Sequence, residues 1–412
     1  MFLNMGKSTI FFYSQFITLP FFYYSEGFYC FLKYTSFNKS YHFCQNLVIY
    51  NNVSEHAFKF KITFVKYKAR LTRLYRMKKF LFFLYGLFCF SFFINAQNGH
   101  SVFGFLDFPA SSHANALGGY NISLVDTDLS MANQNPALLG PELANQVALN
   151  YMYYIKGVNV GGALYAHTLG ERGAWAVGAQ FVDYGQFTQT SADNQILGTF
   201  GAKDISVNGM VGYDIADRIR GGVNAKFIYS AYESYSSIAL AVDLGLNYYN
   251  EEKDLSFALL ARNLGGQLKP FDEVRESLPF DLQLGYTQSL AHAPFRFSLT
   301  AINLTSWKTE YIDDTPVEDA EDKRKKSNFA KDLFRHLVIG VEYIPSDQFY
   351  LAVGYNYKKR TDFADGGGGF FSGFSGGAGI KVRMFDINAS IARHHRSGTS
   401  FMLGVNLLLD KF

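Results

Sequence analysis

From residue 146 to the C-terminus, apolar side chains recur at every second position in segments of about ten residues. Residues 238–248, for example, place Ile, Leu, Val or Tyr on one face and mainly Ala, Asp, Gly or Asn on the other. This period is typical of β-strands, and the segment length is that of a tilted membrane strand. No stretch after residue 96 reads as a membrane-spanning helix, and in hydrocarbon only helices and closed barrels satisfy every backbone polar group. We therefore predict an all-β fold, a transmembrane antiparallel β-barrel of about 14 strands.

The lengths of the gaps between these segments favour a membrane barrel over a soluble sandwich, which also alternates. The long gaps, 184–203, 264–278, 305–334 and 359–375, all follow odd-numbered strands. The gaps after even-numbered strands are short. Outer-membrane barrels have short turns on the periplasmic side and long loops outside. We expect strands to begin near residues 146, 158, 174, 204, 218, 236, 255, 279, 295, 335, 348, 376, 386 and 399.

A second possible start of the chain lies at Met77. Two lysines follow it, then an apolar run at 80–93 and Ala96 at an acceptable cleavage site. This order is typical of a signal peptide, so we predict a signal peptide at 77–96 and a mature chain that begins at Gln97. Residues 1–76 lack a sustained hydrophobic period, and we expect a spurious or disordered N-terminal extension there. A membrane anchor at 11–32 is the alternative, although Pro20 and Glu26 interrupt it.

Charge and cysteine content exclude several classes of function. The formal net charge is +3, but residues 1–79 hold the excess of lysine and arginine, so the remainder is mildly acidic. Nucleic-acid binding therefore gains no support. All three cysteines, Cys30, Cys44 and Cys89, precede Gln97. The predicted mature chain can form no disulfide, zinc–thiolate site or cysteine nucleophile.

Residues 97–145 differ from the strands that follow, because small residues and turn formers replace the alternation. Such a segment carries many backbone polar groups that need an enclosing wall. We therefore divide the mature chain into an N-terminal hatch, 97–145, inside or under a barrel, 146–412. The predicted hatch motif comprises Gly118, Gly119, Asp126, Asp128, Asn135, Pro136 and Ala137.

Charged residues on the predicted polar faces of the strands are expected to line the lumen. An unpaired charge in a narrow lumen would be costly, so we expect these residues to pair with one another or with hatch carboxylates such as Asp126 and Asp128. A substrate path is the alternative. The predicted lumen charges are Arg218, Arg220, Lys226, Asp243, Arg262, Glu342, Lys381 and Arg383.

The hatch motif resembles the N-terminal hatch of the FadL-like outer-membrane barrels, in which a segment ending in Asn-Pro-Ala precedes a fourteen-stranded barrel. Residues 101–106, 109–112 and 116–119 are similar to the PorV/PorQ group of this family, which belongs to the type IX secretion system of Bacteroidetes. The resemblance covers essentially all of 97–412. Phe412 departs from it, because this terminal aromatic residue is one position out of phase with the apolar face.

The resemblance implies a non-enzymatic role without cofactor or metal. Such a barrel would anchor or scaffold the cell-surface attachment complex in the outer membrane. Its implied partners are outer-membrane lipid and lipopolysaccharide, a PorZ-like surface protein, and a sortase-like peptidase that acts with PorV. Two alternatives stay open: a FadL-like channel for uptake of hydrophobic molecules, and an outer-membrane lipid hydrolase.

Two loops are predicted to contact a partner. The first carries acidic pairs, a basic run and two aromatic residues that suit an interface; it lacks the spacing of a calcium loop. The second is glycine-rich and aromatic but has no phosphate-loop signature. The predicted contact residues are Trp307, Tyr311, Lys323, Arg324, Lys325, Lys326, Phe370, Phe371 and Phe374. We predict no catalytic set, because no histidine lies in a nucleophile motif; His394 and His395 are expected at a solvated hairpin tip.

Overall fold

The computed structural model describes residues 102–305, 329–362, 371–395 and 398–409, together with four short strands near the N-terminus. The chain forms two compact units, Met1–Asn95 and Ala96–Phe412. In the first unit Leu3–Met5 pairs with Ser8–Ile10, and Pro20–Ser25 pairs with Phe28–Lys33, both antiparallel. The predicted signal peptide and Phe412 lie outside the described residues.

The second unit is a closed barrel of fourteen strands in which each strand pairs with its neighbours in sequence. All pairs are antiparallel, and β14 closes the barrel on β1 from Phe401↔Tyr153 to Leu408↔Gln146. The strands are β1 Gln146–Tyr153, β2 Asn159–Thr168, β3 Gly173–Thr190, β4 Ile196–Ala216, β5 Ile219–Tyr232, β6 Tyr235–Asn250, β7 Leu255–Lys269, β8 Asp281–Ser289, β9 Phe295–Ala301, β10 Leu337–Ser346, β11 Phe349–Asn356, β12 Phe374–Val382, β13 Phe385–His395 and β14 Gly398–Leu408.

The predicted fold class and strand number are confirmed, but two predicted loops are wrong. Residues 184–203 are not a long loop: β3 continues to Thr190 and β4 begins at Ile196, with a short turn between them. In the same way β7 continues to Lys269, which shortens the loop predicted at 264–278. In both places a register shift interrupts the strand, between Asp183 and Gln186 in β3 and between Ala261 and Leu264 in β7, so the period-2 pattern changes phase before the strand continues.

The two rims of the barrel differ in their connections. One rim has only short turns, at 169–172, 217–218, 251–254, 290–294, 347–348 and 383–384. The barrel also begins and ends at this rim. In outer-membrane barrels, the rim with the short turns is the periplasmic one. The opposite rim is uneven, because β4 has 21 residues and β9 only 7. Two helices lie at this rim in contact with each other and with β10, α2 Phe329–Arg335 and α3 Tyr357–Asp362.

The outer face of the barrel is apolar. Leu240, Leu244 and Leu246 of β6 are exposed, whereas Ala241, Asp243 and Gly245, which alternate with this face, are buried on the lumen side. An apolar band of this extent is incompatible with water and fits hydrocarbon. Aromatic pairs such as Phe257–Tyr286 border the band at the short-turn rim, and Tyr355–Phe374 borders it at the other. Among the described residues, no helix is both long and apolar enough to cross a membrane.

The hatch fills the lumen with short helical turns rather than with regular structure. Its elements are the 3₁₀ turn Gly104–Asp107, helix α1 Ser112–Ala116, and the 3₁₀ turns Leu129–Asn133, Pro136–Leu138 and Pro141–Leu143. Nearly every residue of 111–140 is buried against the strands or within the hatch. The core therefore lies between the hatch and the inner wall.

Candidate functional site: the hatch in the barrel lumen

Side-chain caps give the hatch its local shape. The Ser111 hydroxyl accepts hydrogen bonds from the first amides of α1, and Asp128 accepts one from Ser130 N. Asn135 Oδ1 accepts from Ala137 N at 3.0 Å, and Asn135 Nδ2 donates to Ile122 O at 2.8 Å. Pro136 supplies the fixed φ that begins the next turn. These caps satisfy backbone groups that would otherwise be buried without partners.

Glycines of the wall allow the hatch backbone to approach the strands closely. A Cβ on Gly222 of β5 would collide with the backbone of Pro136 and Ala137, and one on Gly245 of β6 with Asn135. At the opposite wall, Gly354 of β11 lies against the Gly118 amide. The hatch motif is therefore in direct contact with wall positions where only glycine fits.

Gly118 and Gly119 end helix α1 in the left-handed region, with φ of +97° and +94°. Gly119 N donates to Ala114 O at 2.9 Å, which closes the helix end as glycine C-caps do. Lys359 of α3 lies next to Gly119, and its amine is 5.9 Å from the Tyr120 ring centroid. Burial lowers the pKa of Lys359 to about 8, although Asp107 opposes this shift.

Five charged side chains connect the hatch to three strands, and we call them the hatch network: His113 and Asp126 of the hatch, Arg296 of β9, Glu342 of β10 and Lys381 of β12. Glu342, 1% exposed, accepts from Arg296 Nε at 2.7 Å and lies 2.6 Å from His113 Nε2. Asp126 accepts from Lys381 Nζ at 3.0 Å and Arg296 Nη2 at 3.3 Å. Each carboxylate is shared, so loss of one member leaves others unpaired.

The network shifts both titrating groups of the hatch toward their charged forms. Burial lowers the pKa of His113, but attraction and a hydrogen bond to Glu342, with help from Asp126, outweigh burial and raise this pKa above its ordinary value of 6.5. Burial likewise raises the pKa of Asp126, but Arg296, Lys381 and His113 outweigh it and hold this pKa well below the usual range. Both residues are therefore charged in mildly acidic solution.

A second buried cluster joins β5, β6 and β7. Lys226 Nζ lies 2.7 Å from Asp243 Oδ2 and donates to Asn263 Oδ1 at 2.9 Å. Asn263 has a φ of +58° at a register shift between β6 and β7. The bulge turns both Arg262 and Asn263 inward, and Arg262 donates to the carbonyl of Leu106 in the hatch.

A third contact lies at the short-turn rim. Arg220 of β5 forms ion pairs with Glu142 of the hatch at 2.5 Å and with Asp214 of β4 at 2.6 Å. Two predicted lumen charges are wrong: Arg218 and Arg383 lie in exposed turns of this rim. Arg218 pairs there with Glu252 at 3.4 Å. Strand β5 begins one residue after Arg218, and β12 ends one residue before Arg383. Outside a strand, the alternation no longer determines whether a side chain faces the lumen.

The first described part of the hatch, 102–108, occupies an apolar layer nearer the uneven rim, and we call it the upper segment. Phe103, Phe105 and Leu106 are buried there. The surrounding wall is apolar as well, with Met152, Val160, Val182, Ile228, Ala239, Ala241, Leu278 and Met402. Backbone contact to the wall includes Val102 N donating to Ser277 O at 3.2 Å.

Most predicted partner-contact residues, Trp307, Tyr311, Lys323, Arg324, Lys325, Lys326 and Phe370, lie outside the described residues, as do the side chains of His394 and His395. Phe371 and Phe374 are exposed, with ring centroids 6.4 Å apart. Phe374 also contacts Tyr355 in the aromatic border of the membrane band. Partner contact through these loops stays a prediction.

Sequence reasoning missed two members of the network, Arg296 and His113. The alternation contained the signal for Arg296, because Phe295 and Phe297 face outward on either side of it. His113 had no such signal, since its surroundings follow no period. Among the described residues, no three His, Cys, Asp or Glu side chains come together as metal ligands.

No protein-family model matches the chain, and a search of curated proteins gives no match. Solved structures that are similar include a FadL homologue of Pseudomonas aeruginosa, with 10% identity, a TM-score of 0.42, and coverage of 73% of this chain and 98% of the other. The toluene transporter TodX of P. putida has 9% identity, a TM-score of 0.38, and coverage of 63% and 88%. The architecture described here rests on the strand pairing of this chain.

Proposed function

We propose that this barrel admits small hydrophobic molecules from the cell surface and that the upper segment of the hatch closes the path. The observation that carries the proposal is the apolar layer around Phe103, Phe105 and Leu106. Wall residues such as Met152, Val160 and Ile228 are buried and apolar on the lumen side, where water would otherwise favour polar residues. The upper segment would take the place that a hydrophobic solute takes when it enters.

The proposal also rests on how differently the hatch is attached along its length. Residues 111–144 contact the wall through ion pairs, glycine contacts and side-chain hydrogen bonds such as that from Asn406 Nδ2 to Asp128 Oδ1 at 2.8 Å. The upper segment contacts it mainly through apolar packing, with hydrogen bonds from Arg262 to Leu106 O and from Val102 N to Ser277 O. A hydrophobic solute can make the same apolar contacts with the wall as the upper segment does, whereas it cannot form the ion pairs that hold residues 111–144.

A disulfide across the upper segment tests the proposal. The chain after residue 96 has no cysteine, so Val102→Cys and Ser277→Cys would be the only two cysteines in this part of the chain. The protein would be placed in vesicles with lipopolysaccharide in the outer leaflet, and oleate entry would be followed with an entrapped fluorescent reporter. We expect entry above that of protein-free vesicles, its loss on oxidation of the pair, and its return on reduction.

The single variant Val102→Cys is the matched control, and oxidation should leave its oleate entry unchanged. Entry no faster than in protein-free vesicles would contradict the proposal. So would equal entry through the oxidised and reduced double variant.

The second candidate function is a non-enzymatic scaffold of the type IX surface-attachment complex, with lipopolysaccharide, a PorZ-like protein and a sortase-like peptidase as partners. The dense contact of the hatch network with β9, β10 and β12 favours this candidate, because a scaffold needs no open lumen. Deletion of residues 309–326 should then release the surface partner while the barrel still inserts. A partner that stays bound, with exported substrates still processed, would contradict this role for the loop.

A further inference from the structure

The hairpin of β3 and β4 continues beyond the barrel. β2 ends its pairing with β3 at Asn159↔Asp183, and β5 ends its pairing with β4 at Ala202↔Tyr232. Residues 184–201 between these points form strand pairs with each other, from Gln186↔Gly201 to Thr190↔Ile196. One further backbone hydrogen bond, from Glu233 N to Gly201 O at 3.2 Å, holds the base of this part. We call this part the ribbon. It lies at the rim with the longer connections, opposite the short turns, and so on the cell-surface side.

Beyond this hydrogen bond to Gly201, both long edges of the ribbon are open in the described part of the chain. A closed barrel has no edges, so the ribbon provides edges that the rest of the fold avoids. Natural proteins usually protect such edges with lysine, proline or short strands. The ribbon contains neither lysine nor proline, and Asp193 in its turn is its only charged residue.

Apolar side chains of the ribbon lie exposed at the same place. Ile196 is 74% exposed and Leu197 is 64% exposed, beside the turn. Phe187 and Phe200 stack across the two strands with ring centroids 5.4 Å apart. Neutral edges with an aromatic pair and exposed aliphatic residues are the features that an added β-strand recognises: backbone groups give affinity, and alternate side chains give specificity.

We propose that the ribbon binds an extended, uncharged segment of a surface or exported protein by adding it as a strand to the free edge of β4. The segment would carry an aromatic or β-branched residue at every second position, in contact with the row of Phe187 and Phe200. About five residues would pair along Ile196–Phe200, since a strand rises about 3.3 Å per residue and this free edge is about 16 Å long.

A second copy of this chain fits the edge less well. Two copies in one membrane have parallel barrel axes, so a two-fold axis lies along the membrane normal. Identical edges then run in the same direction and can pair only in parallel, which is the less stable arrangement. A pair between the β3 edge of one copy and the β4 edge of the next would be heterologous, and such contacts build rings or open arrays instead of a two-fold dimer. A segment from outside can run antiparallel without this constraint.

The test uses a peptide with the sequence of residues 184–191, because that sequence already pairs antiparallel with β4 on its other side. The peptide would carry a fluorophore, and its anisotropy would be measured with the purified full barrel in detergent. We expect saturable binding. Binding should be lost on deletion of residues 186–201, which leaves Tyr184, Gly185 and Ala202 as a three-residue hairpin with glycine at φ +78°.

Two substitutions locate the edge. Leu197→Lys with Thr199→Lys should weaken binding at least tenfold, because lysine protects strand edges. Gln195→Lys is the matched control in the turn, outside the β4 strand, and should leave affinity within twofold. A peptide N-methylated at alternate amides should also bind at least tenfold more weakly. Retained β-barrel circular dichroism would show that each variant is folded.

Several results would overturn the proposal. They are absence of peptide binding to the folded wild-type barrel, equal binding after deletion of 186–201, and equal weakening by Gln195→Lys. A dimer of the barrel that disappears on deletion of the ribbon would assign the edge to a second copy instead. Oleate entry is measured separately, so failure here leaves the channel proposal intact.

Discussion

The upper segment, 102–108, and the remainder of the hatch, 111–144, lie in the same lumen but are attached by different interactions. Residues 111–144 meet the wall through the hatch network and through wall glycines that admit backbone contact. The upper segment meets it through apolar packing with few hydrogen bonds. Ion pairs in a buried site depend on geometry, whereas apolar packing tolerates exchange of one occupant for another. The difference indicates a fixed plug with a replaceable end.

The largest expected effect is that of Glu342→Ala. The change leaves His113 and Arg296 buried without their shared carboxylate, and breaking a buried ion pair costs about 3–5 kcal/mol. Denaturant unfolding in detergent, followed by tryptophan fluorescence, measures the loss. Glu142→Ala is the control: Glu142 is 46% exposed, so its pair with Arg220 should contribute less than about 1 kcal/mol. Equal losses of unfolding free energy in the two variants would show that the hatch network is not the main attachment of the hatch to the wall.

A wall glycine should have the next largest effect. Gly222→Ala places a methyl group on the backbone of Pro136 and Ala137, which cannot rotate away. Overpacking of this kind costs about 1–3 kcal/mol. Gly209→Ala on β4 is the matched control, since an added Cβ there meets no atom within 4 Å. The same denaturant experiment separates the two, and equal stability of the variants would contradict close contact at the hatch motif.

The sequence predicts the barrel well because membrane and lumen impose opposite demands on successive residues. Thirteen of the fourteen predicted strand starts lie within two residues of those observed, and the exception is β4, expected near 204 and found at Ile196. The ribbon was missed for a physical reason: both of its faces meet water, so polar and apolar residues occur on each, as the neighbours Ile196 and Leu197 show. A strand outside the membrane has no alternation to detect.

The site is less predictable than the barrel. Alternation shows that Lys226, Asp243 and Glu342 face inward, but it does not show which of them meets the hatch. These contacts depend on the stagger between strands and on the path of the hatch, whose sequence shows no hydrophobic period. His113 and Glu342 are far apart in sequence yet lie 2.6 Å apart at Nε2 and Oε1. Wall glycines on inward positions were a usable signal for close backbone contact.

Arg262→Met should loosen the upper segment alone. The change removes the donor to Leu106 O while keeping an apolar side chain of similar length. Hydrogen exchange of the amides in 102–108 should become about tenfold faster, which corresponds to about 1.4 kcal/mol, close to the lower limit of about 1.5 kcal/mol for one hydrogen bond to a charged group. The amides of α1 are the internal control and should not change. Equal acceleration in α1 would mean that the hatch opens as one body.

The smallest expected effect is a pH dependence confined to the hatch network. His113 has a raised pKa, so its charged form contributes stability that is complete below pH 6.5 and is lost as the pH rises through the raised value. Asp126 has a lowered pKa, so its contribution is complete above pH 3.8 and is lost only as the pH falls below that. Neutral His113 can still donate from Nε2 to Glu342, so the alkaline loss should be smaller than that of Glu342→Ala.

The measurement is the difference in unfolding free energy between wild type and His113→Gln at several pH values. This difference should be constant between pH 5 and 6 and should shrink above pH 6.5. A difference that grows with pH would mean that His113 is neutral in the folded barrel, and the network would then hold the hatch through Arg296 and Lys381 alone.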